Sequence, residues 1–278
     1  MLERLTPRRL YQDTISSLMF LSRLPVARIG TAELPDFPKS SQTFLIAGFI
    51  IALPGTLVLC SSVLLGLPHL IAAALGVIVS VMTTGGLHED GLADVADGFW
   101  GGHTKKRKLE IMRDSSVGSY GSMAIIVSIG LRVFCIAALL DRFTLSETMI
   151  ALVLISGFSR SAMLHPWYVL PNARTASSEE NTKPNEKPKR GLSSGFGEPD
   201  WDAMGASLVI SVPCQIAFIY LVGIVPGLVS LLFAYLLMYG MTELIRKHLG
   251  GHTGDTLGAV QQVVTLGMLL GLLIKFGS

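Results

Sequence analysis

Residues 40–88 read SSQTFLIAGFIIALPGTLVLCSSVLLGLPHLIAAALGVIVSVMTTGGLH, and none of these 49 residues is Asp, Glu, Lys or Arg. A second uncharged stretch covers residues 203–242. A transmembrane helix needs about 20 mainly apolar residues, so each stretch is long enough for two spans. Only 15% of the chain is charged, whereas an ordinary soluble domain carries about a quarter. The sequence therefore predicts an all-α, polytopic integral membrane protein rather than a soluble helical one.

The apolar runs predict about seven transmembrane helices. These lie near residues 42–65, 68–86, 119–140, 146–166, 204–224, 226–245 and 257–276. With seven spans, the polar segments 87–118, 167–203 and 246–256 emerge on one side, which also carries most of the Lys and Arg residues outside the spans. The positive-inside rule then places these segments and the N-terminus in the cytoplasm.

We interpret residues 1–278 as a single membrane domain. Residues 1–41 form a cytoplasmic N-terminal segment, in which residues 10–24 could lie as an amphipathic helix at the membrane interface. Residues 87–118 form an acidic catalytic loop, and residues 167–203 form a hydrophilic cytoplasmic loop.

Two classes of function are excluded by charge and motif. The formal net charge is +2, from 22 Lys and Arg against 20 Asp and Glu. A nucleic-acid-binding protein would carry a strongly basic patch or domain, so no nucleic-acid partner is expected. The phosphate-binding pattern GxxxxGK[ST] is absent from the sequence, which does not support a P-loop nucleotide hydrolase.

The acidic stretch GGLHEDGLADVADG, residues 85–98, carries the clearest chemical signal. Asp90, Asp94 and Asp97 are spaced i, i+4 and i+7, which places three carboxylates on one stripe of a helix. A hard cation such as Mg²⁺ relieves the repulsion between them. Asp114 begins a turn and is expected to point back towards this group as a fourth ligand. The alternative is that these residues only solvate or cap a helix end.

A second signal lies at LGGHTGDTLG, residues 249–258, before the last span. Glycines there let backbone N–H groups approach a phosphate, and a helix N-terminus favours an anion. Asp255 either joins the metal site or caps the last helix. Carboxylates, glycines and nearby arginines together suggest phosphoryl or phosphodiester transfer, in which charge neutralisation carries most of the catalysis.

Three long motifs in order resemble the cobalamin-5'-phosphate synthase family, the adenosylcobinamide-GDP ribazoletransferases. They are GGLHEDGLADVADG at 85–98, RKLEIMRDSSVGSYG at 107–121 and LGGHTGDTLGA at 249–259, and FLSRLPV at 20–26 adds to them. The resemblance covers essentially the whole chain. It implies that adenosylcobinamide-GDP reacts with α-ribazole or α-ribazole 5'-phosphate, with Mg²⁺ as cofactor and release of GMP, in the plasma (inner) membrane of a prokaryote.

The resemblance also supplies candidate site residues. The candidates for catalysis are His88, Asp90, Asp94, Asp97 and Asp114. The candidates for Mg²⁺ binding are Asp90, Asp94, Asp97 and Asp114. The candidates for substrate binding are Arg113, Ser115, Thr253, Gly254, Asp255 and Thr256. The identity of the general base and the oligomeric state stay open, and membrane lipid is an expected partner. Two positions depart from the family pattern, Glu89 within the acidic motif and Ser116 where an arginine is usual.

Two other classes of protein share part of the pattern. A CDP-alcohol phosphotransferase also couples spans to an aspartate motif, and Asp94, Asp97 and Gly98 match it. Gly101 and Gly102, however, replace the Ala-Arg pair of that motif. An ion transporter is the alternative outside the enzymes, since ionisable groups within membranes often mark ion pathways.

Overall fold

The computed structural model describes residues 5–26, 36–174, 197 and 199–275. Within these ranges the regular elements are helices, so the predicted all-α class is confirmed. The α-helices are α1 (Pro7–Leu21), α2 (Phe37–Ser40), α3 (Phe44–Leu64), α4 (His69–Thr84), α5 (Leu87–Gly101), α6 (Lys105–Ile111), α7 (Ser119–Arg142), α8 (Leu145–Ser161), α9 (Leu164–Val169), α10 (Trp201–Val222), α11 (Ile224–Leu249) and α12 (Gly254–Leu273).

Six helical segments are long and apolar enough to cross a membrane. They are Phe37–Leu64, Ser119–Arg142, Leu145–Val169, Trp201–Val222, Ile224–Leu249 and Gly254–Leu273. Helices α4 and α5 count as a seventh crossing if they are taken as one span bent by 87°. The prediction of about seven transmembrane helices is therefore confirmed.

The second span, predicted near residues 68–86, is α4, and the acidic segment follows it directly. The span ends at Thr84, and the segment 87–118, expected to be a loop, contains α5 and α6. Helix α5 forms because its apolar side is buried by neighbouring helices, with Ala93, Val95 and Phe99 each less than 5% exposed. Helix α5 packs mainly on α12 and α7.

Small residues allow the long helices to approach closely. A Cβ atom added to Gly48 of α3 would lie 2.6 Å from the Gly157 Cα of α8. A Cβ atom added to Gly271 of α12 would lie 2.6 Å from the Ser230 Cα of α11. Membrane helices associate through such small-residue contacts because lipid supplies no hydrophobic driving force between them. The second of these crossings packs α12 against α11, and most residues of α12 are buried.

The polar segments meet at one end of the bundle. Helix α1, which confirms the predicted N-terminal helix, buries Leu18 and Leu21 in a cluster with Phe44 and Trp167. After it, the Arg23 N–H donates to the Thr83 carbonyl at 2.8 Å.

Residues 246–256 reach the same end, where the Ala173 N–H donates to the His252 carbonyl and Lys108 Nζ lies 3.0 Å from His248 Nδ1. At the opposite end, His69 Nδ1 lies 2.6 Å from Asp141 Oδ1. Most of the hydrophilic loop predicted at 167–203 lies outside the described residues.

Candidate active site

The break between α4 and α5 is made by two consecutive glycines. Gly85 has a φ of +66° and Gly86 a φ of +74°, a left-handed conformation that residues with a Cβ rarely adopt. The Gly85 and Gly86 amides close α4 by donating to the Met82 and Val81 carbonyls. The chain then turns by 87° into α5, so the acidic stripe follows the break directly.

Asp90, Asp94 and Asp97 share one stripe of α5, as their spacing predicted, but their surroundings differ. Asp90 is exposed, Asp94 is half-buried, and Asp97 is only 9% exposed. The stripe therefore runs from solvent into the protein, and the three carboxylates do not form one equivalent set.

The Asp97 carboxylate is committed to the N-terminus of α7. One oxygen accepts a hydrogen bond from the Gly118 N–H at 2.7 Å, and the other accepts one from the Gly121 N–H at 2.9 Å. A negative charge at a helix N-terminus satisfies amides that have no partner within the helix and opposes the positive end of the helix dipole. Asp97 thus anchors α7 to α5.

Asp255 enters the site from the first turn of α12. Its Oδ2 lies 2.8 Å from Arg174 Nη2 and 3.2 Å from Thr253 Oγ1. The proposal that Asp255 caps α12 was wrong, because Thr253 is the cap and Thr256 completes a capping box with it. Gly254, the first residue of the helix, is exposed.

Gly91 lets α5 and α12 approach closely enough to join the two predicted motifs. A Cβ atom at this position would lie 2.7 Å from the Asp255 carbonyl oxygen and 3.1 Å from its Cα. The carboxylates of Asp255, Asp90 and Asp97, together with the Arg174 guanidinium, act electrostatically on Asp94. We call Asp90, Asp94 and Asp255 the carboxylate cluster.

The segment 113–116 stays outside the carboxylate cluster. Asp114 is exposed, and its Oδ1 accepts hydrogen bonds from the Ser116 N–H at 3.0 Å and the Ser116 hydroxyl at 2.7 Å. These bonds hold the pKa of Asp114 below its usual value. The expectation that Asp114 points back towards the stripe stays a prediction, since the hydrogen bonds found for its carboxylate are those from Ser116. Arg113 and Ser115 are exposed at the same end of the bundle.

His88 and Glu89 lie away from the carboxylate cluster, inside the bundle. Both are buried, and Glu89 Oε1 forms an ion pair with Arg132 Nη2 at 2.8 Å. The buried Arg160 lies nearby on α8, and it interacts electrostatically with Glu89 and Arg132.

Sequence reasoning missed three arginines at or near the site, Arg132, Arg160 and Arg174. Arg132 and Arg160 lie within spans that were otherwise interpreted only as apolar runs. An ionisable residue inside a span marks a functional or paired position, and that signal would have found both. Arg174 carried no such signal, because it lies in a polar segment among several other charges.

The charges at the carboxylate cluster suit a divalent cation. Asp90, Asp94 and Asp255 with Arg174 sum to a formal charge of −2, three carboxylates against one guanidinium. Carboxylate oxygens without His or Cys are the donors that Mg²⁺ prefers. Within the described ranges, no three His, Cys, Asp or Glu side chains already stand in a metal-binding arrangement. Of the four predicted ligands, Asp90 and Asp94 share this site, while Asp97 and Asp114 bond elsewhere.

The fold and the site together define a polytopic helical membrane protein with an acidic site at one end of its bundle. The family model described as CobS, cobalamin-5-phosphate synthase, matches residues 13–273. The chain belongs to this family. This membership argues against the CDP-alcohol phosphotransferase and the ion transporter as alternatives.

Curated relatives match the chain over nearly its full length. An adenosylcobinamide-GDP ribazoletransferase of Azorhizobium caulinodans is 39% identical over 273 residues, which are 96% of this chain and 97% of that protein. A protein of the same name from Brucella anthropi is 35% identical over 267 residues, 94% of this chain and 96% of that protein. No solved structure matches this chain.

Proposed function

We propose that this chain is an adenosylcobinamide-GDP ribazoletransferase that completes the nucleotide loop of cobalamin. A hydroxyl oxygen of the substrate, either α-ribazole or α-ribazole 5'-phosphate, attacks the phosphorus linked to cobinamide. A new P–O bond forms, the P–O bond to GMP breaks, and GMP leaves with the bonding electron pair while the hydroxyl loses its proton. The observation that carries this proposal, beside the family, is the carboxylate cluster at the N-terminus of α12.

Each part of the site has a role in this reaction. The first turn of α12 directs its amides and the positive end of its dipole towards phosphate oxygens. Arg174 orients Asp255 and offers a guanidinium for a second phosphate contact. Asp90 and Asp94, with Asp255, would hold Mg²⁺, which neutralises charge on the pyrophosphate when bound. Asp97 holds α5 in register with α7 and so keeps Asp94 in place.

The test uses the purified protein in detergent with Mg²⁺ and adenosylcobinamide-GDP. We expect GMP to form only when ribazole or ribazole 5'-phosphate is added, and Asp90→Asn or Asp94→Asn to abolish it. Asp141→Asn is the matched control, because Asp141 is an exposed carboxylate at the opposite end of the bundle. GMP release without ribazole, or full activity of Asp90→Asn, would contradict the proposal.

We also propose that the end carrying the site faces the cytoplasm from the inner membrane. The excess of Lys and Arg in the segments at this end supports the orientation. In a variant without native cysteines, an impermeant maleimide should label His103→Cys only in inside-out vesicles. It should label Leu65→Cys, at the exposed turn of the opposite end, only in right-side-out vesicles. The reverse labelling pattern would contradict the proposed orientation and place the site on the other side of the membrane.

A further inference from the structure

A cavity of about 90 Å³, lined by both apolar and ionisable side chains, lies within the bundle. Its lining comes from α3, α4, α5, α7, α8 and α12. Gln262, which lines it, follows Asp255 by seven residues, or about 10 Å along the helix axis. The cavity therefore extends deeper into the bundle than the site assigned above to the reacting pyrophosphate.

Four ionisable side chains line the cavity, and each is less than a tenth exposed. They are His88, Glu89, Arg132 and Arg160. Arg132 is paired with Glu89 at 2.8 Å. Arg160 donates instead to the Ser156 carbonyl at 3.0 Å and the Ser156 hydroxyl at 2.6 Å, which are neutral. With His88 neutral, two guanidinium groups and one carboxylate leave a formal charge of +1.

Several polar atoms of this lining lack a hydrogen-bond partner within the described part of the chain. They are the donors Arg132 Nε and Arg160 Nε, the acceptor Glu89 Oε2, and His88 Nε2, which serves in either role. A buried polar atom without a partner is costly, and an uncompensated buried charge more so. Water can satisfy the hydrogen bonds, but it cannot neutralise the charge.

These donors and this charge fit a singly charged phosphate group that keeps at least one proton. A phosphate monoester monoanion carries one proton, and the free phosphate monoanion carries two. Guanidinium groups bind phosphate oxygens through charge-assisted hydrogen bonds. The free Glu89 oxygen can accept a hydrogen bond only from a ligand that carries a donor, such as an O–H. A phosphate monoanion has such an O–H, whereas sulfate at neutral pH has none.

The cavity adjoins a route from the end of the bundle that carries the carboxylate cluster. A groove of about 530 Å³ follows the break between α4 and α5, and its lining includes Arg23, Asp90, Thr84 and Glu89. Thr84 and Glu89 also line the cavity. A phosphate-bearing molecule could thus enter past Asp90 and reach the arginines.

We propose that this cavity binds one phosphate group as a monoanion, apart from the pyrophosphate that reacts. The group is either free phosphate or the 5'-phosphate of ribazole 5'-phosphate, and the second source rests on the proposed function. In either case Arg132 and Arg160 donate hydrogen bonds to its oxygens, and Glu89 accepts a hydrogen bond from its O–H.

Binding is tested with radiolabelled inorganic phosphate, by equilibrium dialysis of the purified protein in detergent with EDTA. We expect saturable binding near one site per chain that sulfate fails to displace. Arg160→Gln should weaken it by about tenfold or more, since a hydrogen bond to a charged group is lost. Arg142→Gln, on α7 at the opposite end, should leave it unchanged. In Glu89→Gln, sulfate should compete, because the amide can donate to it.

Absence of saturable phosphate binding, or equal displacement by sulfate in the wild-type protein, would overturn the proposal. So would undiminished phosphate binding in Arg160→Gln. If that variant fails to fold, the comparison of phosphate with sulfate in the wild-type protein decides the question alone.

Kinetics distinguish the two sources of phosphate. If Arg160→Lys raises the KM for ribazole 5'-phosphate relative to that for ribazole, the site takes the phosphate of the substrate. If the ratio of the two KM values is unchanged while the variant binds inorganic phosphate more weakly, the ligand of the site is free phosphate. Phosphate binding without any GMP formation would refute the proposed function and leave the phosphate site supported. GMP formation without phosphate binding would refute the phosphate site and leave the proposed function supported.

Discussion

Replacing Asp97 with Asn separates an anchoring role from a metal-binding role. The buried carboxylate accepts hydrogen bonds from the Gly118 and Gly121 amides. Asn keeps one acceptor but turns an NH₂ group to the other amide, and a buried N–H without an acceptor costs about 1–3 kcal/mol. The lost charge at the N-terminus of α7 costs about a further 0.3–1 kcal/mol. We therefore expect Asp97→Asn to lower the free energy of unfolding by about 1–4 kcal/mol.

The free energy of unfolding is measured by titrating the protein in mixed micelles with a denaturing detergent. The rate of GMP formation is measured on the same variants. Asp90→Asn is the matched control, because Asp90 is exposed and its replacement should change stability by only about 0.5 kcal/mol. Gly121→Ala should destabilise the protein as well, since its Cβ would collide with the Asp97 carboxylate. If Asp97→Asn is as stable as the wild type but inactive, Asp97 acts in the chemistry and the anchoring argument fails.

Three further outcomes follow from the site. Gly91→Ala should destabilise the protein by about 1–3 kcal/mol and reduce GMP formation, since its Cβ would meet the Asp255 backbone at 2.7 Å. Gly130→Ala, where a Cβ meets nothing within 4 Å, should be tolerated in the same unfolding assay. Arg174→Gln should lower the Mg²⁺ concentration needed for half-maximal activity, because the carboxylate cluster loses its positive charge. An unchanged Mg²⁺ requirement would argue against Asp255 as a ligand. Chelation with EDTA should stop GMP formation and added Mg²⁺ should restore it, whereas activity in excess EDTA would exclude a divalent cation.

The membrane fold was predictable because it depends on composition over long windows. Runs without charge specify spans, and short turns such as that at Gly66 and Pro68 separate them. The spacing of Asp90, Asp94 and Asp97 also predicted their shared helical stripe correctly. What the spacing could not supply was the partner of each carboxylate, because those partners come from other helices.

The carboxylate partners show this limit most clearly. Asp97 is held by amides 21 and 24 residues further along the chain, and Asp94 meets Asp255 only because α5 packs on α12 at Gly91. Asp114, which the sequence placed near the same stripe, is bonded by its neighbour Ser116. Local spacing constrains which side chains share a face, but it does not say what stands opposite that face.

By itself, the sequence determined that this protein crosses a membrane through about seven helices and carries acidic and glycine-rich motifs at one side. Its motifs also indicated the family to which the chain belongs. Only the tertiary structure decided that Asp255 joins Asp90 and Asp94, that Asp97 anchors a helix, and that Arg132 and Arg160 line one cavity. The physical reason is that hydropathy and helical periodicity are properties of neighbouring residues. Pairing of charges depends on which helices pack together, and that is set by contacts between small residues far apart in the chain.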